Sequence, residues 1–394
     1  VLAWCALLVG RGGFWRMRPR LGDEGGDEGG DEGGRAARAP RVVAVVPARD
    51  EAAMLARSLP SLLGQEGGLL EGVVVVDDAS SDGTAEVARR LGAEWCATRP
   101  NGPAVTVLRA RPTPPGWAGK VWAQAEGVAT ALRTAPGEPD FLLLTDADIV
   151  HYPGTLAALV RRATHDDLDL VSVMAHLRCE SRAERLLVPA FVYFFAKLYP
   201  FAWVNRHGSR TAAAAGGCML VRTSALQRVG GMEAVRGERI DDVALARAIK
   251  GRGRPEGGRL WLGLSEGVRS DRPYPRGRDV ADMVARSAYV QLRYSPALLV
   301  GTLAGMALLY LGPLAALAGA ARSQRASHLA GGALATALMT ASYLPVLRLY
   351  RLPPWRAVTL PLAAAAYTAM TIQSAWRHYR SGGVAWKGRL PDRA

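Results

Sequence analysis

Two carboxylates separated by one small residue, Asp146 and Asp148, close the apolar run Phe141-Leu142-Leu143-Leu144-Thr145. Paired hard oxygen donors of this kind suit Mg or Mn, most readily an ion that also bridges the phosphates of a nucleotide. Residues i and i+2 of a strand share a side, so the pair can hold one ligand if the chain stays extended past Thr145. A polar turn after a buried strand uses the same residue type and is the plainer alternative. Further acids stand in comparable places: Asp50 and Glu51 follow Val42–Val46, and Asp77, Asp78 and Asp82 follow Gly72–Val76. Asp241 and Asp242 precede a helical pattern over 243–250. A carboxylate within reach of an attacking hydroxyl is the usual general base, and Asp242 is the candidate; the same pair could simply cap the helix. Lys120, behind Gly116-Trp117-Ala118-Gly119, could face phosphate beside backbone donors, or be an ordinary solvated lysine.

The elements that must position these residues alternate. The continuous β-branched run at 42–46 reads as a strand buried on both faces of a parallel sheet, and further strands are expected at 72–76, at 104–109 and from Phe141. Helical patterns over 52–63, 85–91 and 120–132 separate them, which implies an α/β fold with right-handed crossovers. Ligands of such sheets bind beyond the carboxyl ends of the strands, where the acid clusters stand. Neither G-x-G-x-x-G nor G-x-x-x-x-G-K-[ST] occurs, so a dinucleotide dehydrogenase and a P-loop enzyme are disfavoured.

The chain of 394 residues is long enough for a catalytic domain and more. Three apolar runs, 296–321, 326–347 and 357–375, are expected to span a membrane as helices, placing a multi-pass protein in the inner (cytoplasmic) membrane. Residues 1–21 read as a residual anchor with a basic flank, Arg11, Arg16, Arg18 and Arg20, which puts the chain beyond Arg20 in the cytoplasm. Three spans would then leave the basic tail 377–394, with Arg377, Arg380, Lys387, Arg389 and Arg393, on the side that the positive-inside rule disfavours. Residues 22–40 hold an acidic glycine repeat that reads as a linker. The expected catalytic domain is 41–295. Within it, the aromatic segment 186–204 is expected to lie in the membrane interface, with a core helix as the alternative. The net charge of +14 is scattered arginine, which fits anionic lipid and a nucleotide diphosphate and argues against nucleic acid. The four cysteines have no metal spacing.

Several motifs in order resemble family 2 glycosyltransferases of the GT-A fold. They are PARDE at 47–51, VVVDDASSDGT at 74–84, TDAD at 145–148, AGGCMLVR at 215–222 and IDDVALA at 240–246. Within that family, RGGFW at 11–15, PPGWAGKVWA at 114–123, PAFVYFFAKLYPF at 189–201 and RSAYVQLRYSP at 286–296 are similar to the hopene-associated glycosyltransferases. The resemblance implies a UDP-sugar-type donor held by Pro47, Arg49, Asp50, Glu51, Asp78, Lys120, Asp146 and Arg293. It places Asp78 on the nucleotide base, although turn capping would use the same residue. Asp148 is then the metal ligand, with Asp146 supporting it between ribose and metal. Gly216, Gly217, Cys218 and Asp241 fall on the acceptor side, Asp242 is the base, and the acceptor is a lipid. Val290 stands where the family's Q-x-x-R-W box has Gln, which favours a single transfer over processive synthesis. A non-catalytic membrane scaffold of the same fold and a nucleotidyl- or phosphoryl-transferring enzyme are the alternatives.

Overall fold

A computed structural model describes residues 1–22, 38–251, 256–323 and 326–381. Most of the acidic repeat, and Lys387, Arg389 and Arg393 of the tail, lie outside the described residues. The chain divides into two compact units, one of Pro19–Leu177 and Trp203–Arg272, the other of Val1–Arg18, Arg178–Ala202 and the described residues from Pro273 on. Residues 178–202 and 273–295 therefore group with the apolar helices, a different boundary from the expected 41–295.

The first unit is built on one eight-stranded sheet, β1 (Val42–Ala48), β2 (Leu70–Asp77), β3 (Ala104–Arg109), β4 (Phe141–Thr145), β5 (Ile149–His151), β6 (Leu170–Leu177), β7 (Cys218–Arg222) and β8 (Leu260–Ser270). Their order is β3-β2-β1-β4-β7-β6-β8-β5. The half from β3 to β4 is parallel, as the β-branched runs require, while β7 enters antiparallel to both β4 and β6. Every residue of β1 is buried.

Pro47 sits inside β1, where proline would normally break a ladder. Ala48 accepts from the Asp78 N–H on the β2 side, so the Pro47 nitrogen faces β4. There the pairing has already ended, at Val45 and Leu144, and no donor is missed.

Helix Gly119–Thr134 lies on β1 and β2 because Gly127 permits it: a Cβ there would meet Val45 Cγ1 at 2.4 Å and Val76 Cγ2 at 2.8 Å. One turn earlier, Gln124 is fully buried, and neither polar atom of its amide has a hydrogen-bond partner among the described residues. Such a group forfeits its hydration for nothing, so Gln124→Leu should raise the stability of the protein by about 1–2 kcal/mol, read as a higher melting temperature; an unchanged or lower value would show that the amide is satisfied in solution.

The second unit is helical. Helix Leu2–Gly10, helix Arg182–Leu198 and the helices from Pro296 on pack through aromatic side chains. Tyr193 is fully buried, with edge contacts to Phe14 and Tyr343 and a 2.7 Å hydrogen bond to Ser342. The aromatic segment 186–204 is broken at Tyr199-Pro200, and its first part packs among the other helices, which the core-helix alternative also expects.

Among the described residues, two helices are long and apolar enough to cross a membrane, Pro296–Ala320 and Ala326–Leu349. The third expected run forms helix Leu360–Ser381, which carries Thr368, Thr371, Gln373, Ser374 and Arg377 and is not one of those two. Some of these groups serve packing: Ser374 Oγ donates to the Ala285 carbonyl, and Arg377 pairs with Asp282 at 2.8 Å. The first of the two apolar helices contains a π-helical turn, Ala307–Leu311, which loosens the regular ladder. The Trp4 indole N–H donates to the Leu309 carbonyl at 3.0 Å, an acceptor whose helical partner four residues on is Pro313, which has no N–H to offer.

Candidate active site

The acids at the strand ends do not hang free; each is fixed by its own loop. After β1 the chain turns through Asp50, with φ of +50°, opposite Ala79 at +53° in the loop after β2. The Asp50 N–H donates to Ser80 Oγ at 3.0 Å, and its carboxylate accepts from the N–H and hydroxyl of Ser81. Asp50 thus clasps the two loops together through its N–H and one carboxylate oxygen, Oδ1. Asp82 completes the clasp by accepting from the Thr84 hydroxyl and from the N–H groups of Ala52 and Thr84; burial alone would raise its carboxyl, but these donors, the hydroxyl first, hold it below the usual range. Asp78 is buried, and Arg49 donates to its carbonyl at 2.9 Å and lies 3.4 Å from its carboxylate.

The chain does not stay extended past Thr145. It turns at Ala147-Asp148 and re-enters the sheet as β5, with the Ile149 N–H donating to the Asp146 carbonyl. Period-two alternation therefore does not relate the two carboxylates; they flank a turn, near enough for the charge of Asp148 to act on the Asp146 carboxyl. Helix Ala52–Leu63 supports it from behind through Ser58 Oγ, which donates to the Ala147 carbonyl, and Ser61 Oγ, which accepts from the His151 N–H. Thr145 Oγ spends its one proton on the Gly217 carbonyl at 2.7 Å, so it must accept from His151 Nε2 at 3.0 Å, which fixes the tautomer. Burial pushes the His151 imidazole down to about 4, so it is neutral and structural.

Two cations meet the acids. Lys120 Nζ lies 2.8 Å from Asp146 Oδ1 and 3.5 Å from Asp241 Oδ2. Burial would lower its pKa, but Asp146, Asp241 and Asp242 outweigh burial and raise it, so it stays an ammonium. Arg272, just past β8, donates from Nε to Asp148 Oδ2 at 3.1 Å and from Nη2 to Glu51 Oε1 at 2.5 Å. Ser270 Oγ adds a 2.8 Å bond to the same Asp148 oxygen.

Asp242 begins helix Asp241–Lys250, and its Oδ2 accepts from the Gly216 N–H at 2.8 Å. The Gly216 backbone approaches closely: a Cβ there would lie 3.2 Å from Asp242 Oδ2 and 3.4 Å from Lys120 Nζ. Burial first, and then the charge of Asp241, push the Asp242 carboxyl up to about 7 against the pull of Lys120. Asp146 is raised likewise, by burial and by Asp148, despite its contact with Lys120.

The structure thus gathers Glu51, Asp146, Asp148, Asp241, Asp242 and Lys120 around the carboxyl ends of the strands, with Asp78 and Arg49 paired in the neighbouring loop. Gly216 and Gly217 supply backbone; the Cys218 side chain is fully buried in the apolar core, and burial pushes its thiol up to about 12, so it takes no part in chemistry. Arg293 belongs to the helical unit, in a left-handed turn with φ of +52°. Arg272 was not legible from sequence: one arginine among 49 basic residues, in no motif, carries no signal.

Five carboxylates facing two cations leave an excess of negative charge. That excess, and the raised Asp146 carboxyl, fit a hard divalent cation on Asp146 and Asp148. No third His, Cys, Asp or Glu joins them as a metal cluster among the described residues, so a diphosphate would have to supply the remaining ligands.

Several solved structures are similar in fold. Mannosyltransferase PcManGT from Pyrobaculum calidifontis, in complex with GDP-Man and Mn2+, is 22% identical, with 95% of this chain and 97% of that chain covered and a TM-score of 0.48. A mycobacterial protein is 20% identical over 64% of this chain and 74% of its own, with a TM-score of 0.42. Glucosyl-3-phosphoglycerate synthase from Mycobacterium tuberculosis, in complex with Mn2+, UDP and glucosyl-3-phosphoglycerate, is 19% identical, covering 59% and 73%, with a TM-score of 0.37. A comparison with curated proteins finds no match. The family described as "Glycosyltransferase like family 2" matches residues 40–255, more than half of the chain and the whole stretch from β1 to the Asp242 helix. This chain belongs to the family 2 glycosyltransferases and is an enzyme of that family, with a GT-A-like fold.

Proposed function

We propose that this enzyme moves a sugar from a nucleotide-sugar donor, of UDP-sugar type, to the hydroxyl of a membrane lipid in a single inverting displacement, and that it works at the cytoplasmic face of the inner membrane. The observation that carries the reading is Asp242: a carboxylate held by the Gly216 N–H and pushed up to about 7, within one charged cluster with Lys120 and Asp146. A base poised near neutrality takes a proton from a hydroxyl more readily than an ordinary carboxylate does. The apolar helices Pro296–Ala320 and Ala326–Leu349 support a lipid as acceptor, and the hopanoid class rests on the sequence resemblance alone.

Each residue then has a task. Asp242 takes the proton of the attacking hydroxyl, and Gly216 keeps it aimed. Lys120 supplies fixed positive charge beside Asp146, where the leaving diphosphate gains negative charge. Asp78, Arg49 and the clasped loops at 47–51 and 78–84 are assigned to the nucleoside. Asp148 and Asp146 are assigned to Mg or Mn, which when bound would act as a Lewis acid on the diphosphate. The Asp241 charge keeps Asp242 basic.

The test incubates membranes carrying the protein with labelled UDP-sugars and lipid extract, with Mn, with Mg, and with a chelator. Labelled lipid should form with metal, and both chelation and Asp148→Asn should lower its yield by about a hundredfold or more. Nucleotide release with no labelled lipid would overturn the acceptor assignment, and no release with any donor would favour the scaffold alternative.

A further inference from the structure

We propose that Arg272 is a resident counter-cation that occupies Asp148 until a divalent ion displaces it, so that the free enzyme binds metal weakly. The inference rests on the reading of Asp148 as a metal carboxylate. Its geometric basis is that one guanidinium joins three strand ends. Glu51 follows β1, Asp148 lies in the turn after β4, and Arg272 itself follows β8.

Asp148 Oδ2 receives Arg272 Nε at 3.1 Å and Ser270 Oγ at 2.8 Å, so that oxygen already carries two donors. The position is set by pairing, since Ile149 is opposite Ser270 in the β5–β8 ladder and the Asp271 N–H donates to the Asp148 carbonyl at 3.3 Å. Asp271 itself is fixed between Arg57 at 2.7 Å and Arg269 at 2.9 Å, so the segment carrying Arg272 is held from both sides.

A divalent ion and a guanidinium repel one another and cannot share that oxygen. Arginine cannot yield by losing its proton, so the exchange is a competition of charges. The second nitrogen on Glu51 gives Arg272 a place to stay when it leaves Asp148, because the planar fork holds two carboxylates independently. Asp146 is meanwhile held by Lys120, so both acids of the pair already have a cation partner before any metal arrives. The consequence is an enzyme that takes up its metal together with the donor diphosphate, which adds ligands, instead of holding the ion alone.

The experiment is a Mn2+ titration of the full chain in detergent, without nucleotide, read by the electron paramagnetic resonance of free Mn2+. Arg272→Gln should bind Mn2+ roughly tenfold or more tightly than the wild type, the scale of one charge-assisted contact. Arg272→Lys keeps the charge and should stay near the wild-type affinity, and adding Asp148→Asn to Arg272→Gln should remove the gain. Melting temperatures identify which variants are folded. If the wild type binds Mn2+ through Asp148 but neither Arg272 variant differs from it, the counter-cation role is overturned and the metal site stands. If Asp148→Asn changes no Mn2+ binding in any background, the metal reading itself fails and takes this inference with it.

Discussion

Asp242→Asn should abolish sugar transfer, lowering kcat by about a hundred- to ten-thousandfold, while donor affinity stays close to that of the wild type. Asn keeps the acceptor oxygen for the Gly216 N–H but cannot take a proton. The pH profile is a second, independent readout. Because the Asp242 carboxyl is raised to about 7, its basic form is scarce in acid and abundant above neutrality, so kcat/KM should climb tenfold per pH unit below about 7 and level off above it. A carboxylate at its ordinary value would give a flat profile from pH 5 upward. The same shift has a cost in stability: the folded protein holds this proton more tightly than the unfolded chain, so this group's contribution falls as pH rises from about 4 to 7. A flat rate profile together with lost donor binding in Asp242→Asn would reassign the residue to the donor pocket.

Lys120→Met should destabilise the protein by about 2–4 kcal/mol at neutral pH, somewhat less than the loss of one partner from a fully buried pair, because 23% of the lysine side chain is exposed. The methionine fills the space but leaves Asp146, Asp241 and Asp242 facing one another. Protonating those acids relieves the repulsion, so the deficit should shrink as the pH is lowered from 7 toward 4; denaturant unfolding at several pH values measures it. Transfer should fall as well, since the site loses the cation beside Asp146. A variant as stable as the wild type at pH 7 would show that the three carboxylates do not need Lys120, and would weaken the electrostatic account of the site.

The inner strands of the parallel half were legible because β1 and β4 are buried throughout and β2 over most of its length, while β3 at the edge is only half-buried. The acids were legible because they stop those runs. What escaped was whatever depends on contacts distant in sequence. The turn at Ala147-Asp148 is imposed by Ser58 and Ser61 of a helix some ninety residues away, and no local pattern announces it. Pairing of Ile149 with Ser270 brings Arg272 to Asp148 across more than a hundred residues. Asp50 shows a role that the motif does not announce: one of its carboxylate oxygens, Oδ1, holds the N–H and hydroxyl of Ser81 and so ties the two loops together. The third apolar run owes much of its apolar character to alanine, and a polar residue within it, Ser374, serves the packing of the helical unit.

The helices Pro296–Ala320 and Ala326–Leu349 also bear on the proposed membrane reading. A pair of crossings is even in number: if both helices span, the chain would return after Leu349 to the face that it left at Pro296. Arg377 and Arg380, in the last turns of helix Leu360–Ser381, would then stand on the face that the positive-inside rule favours, provided that this last helix does not itself cross.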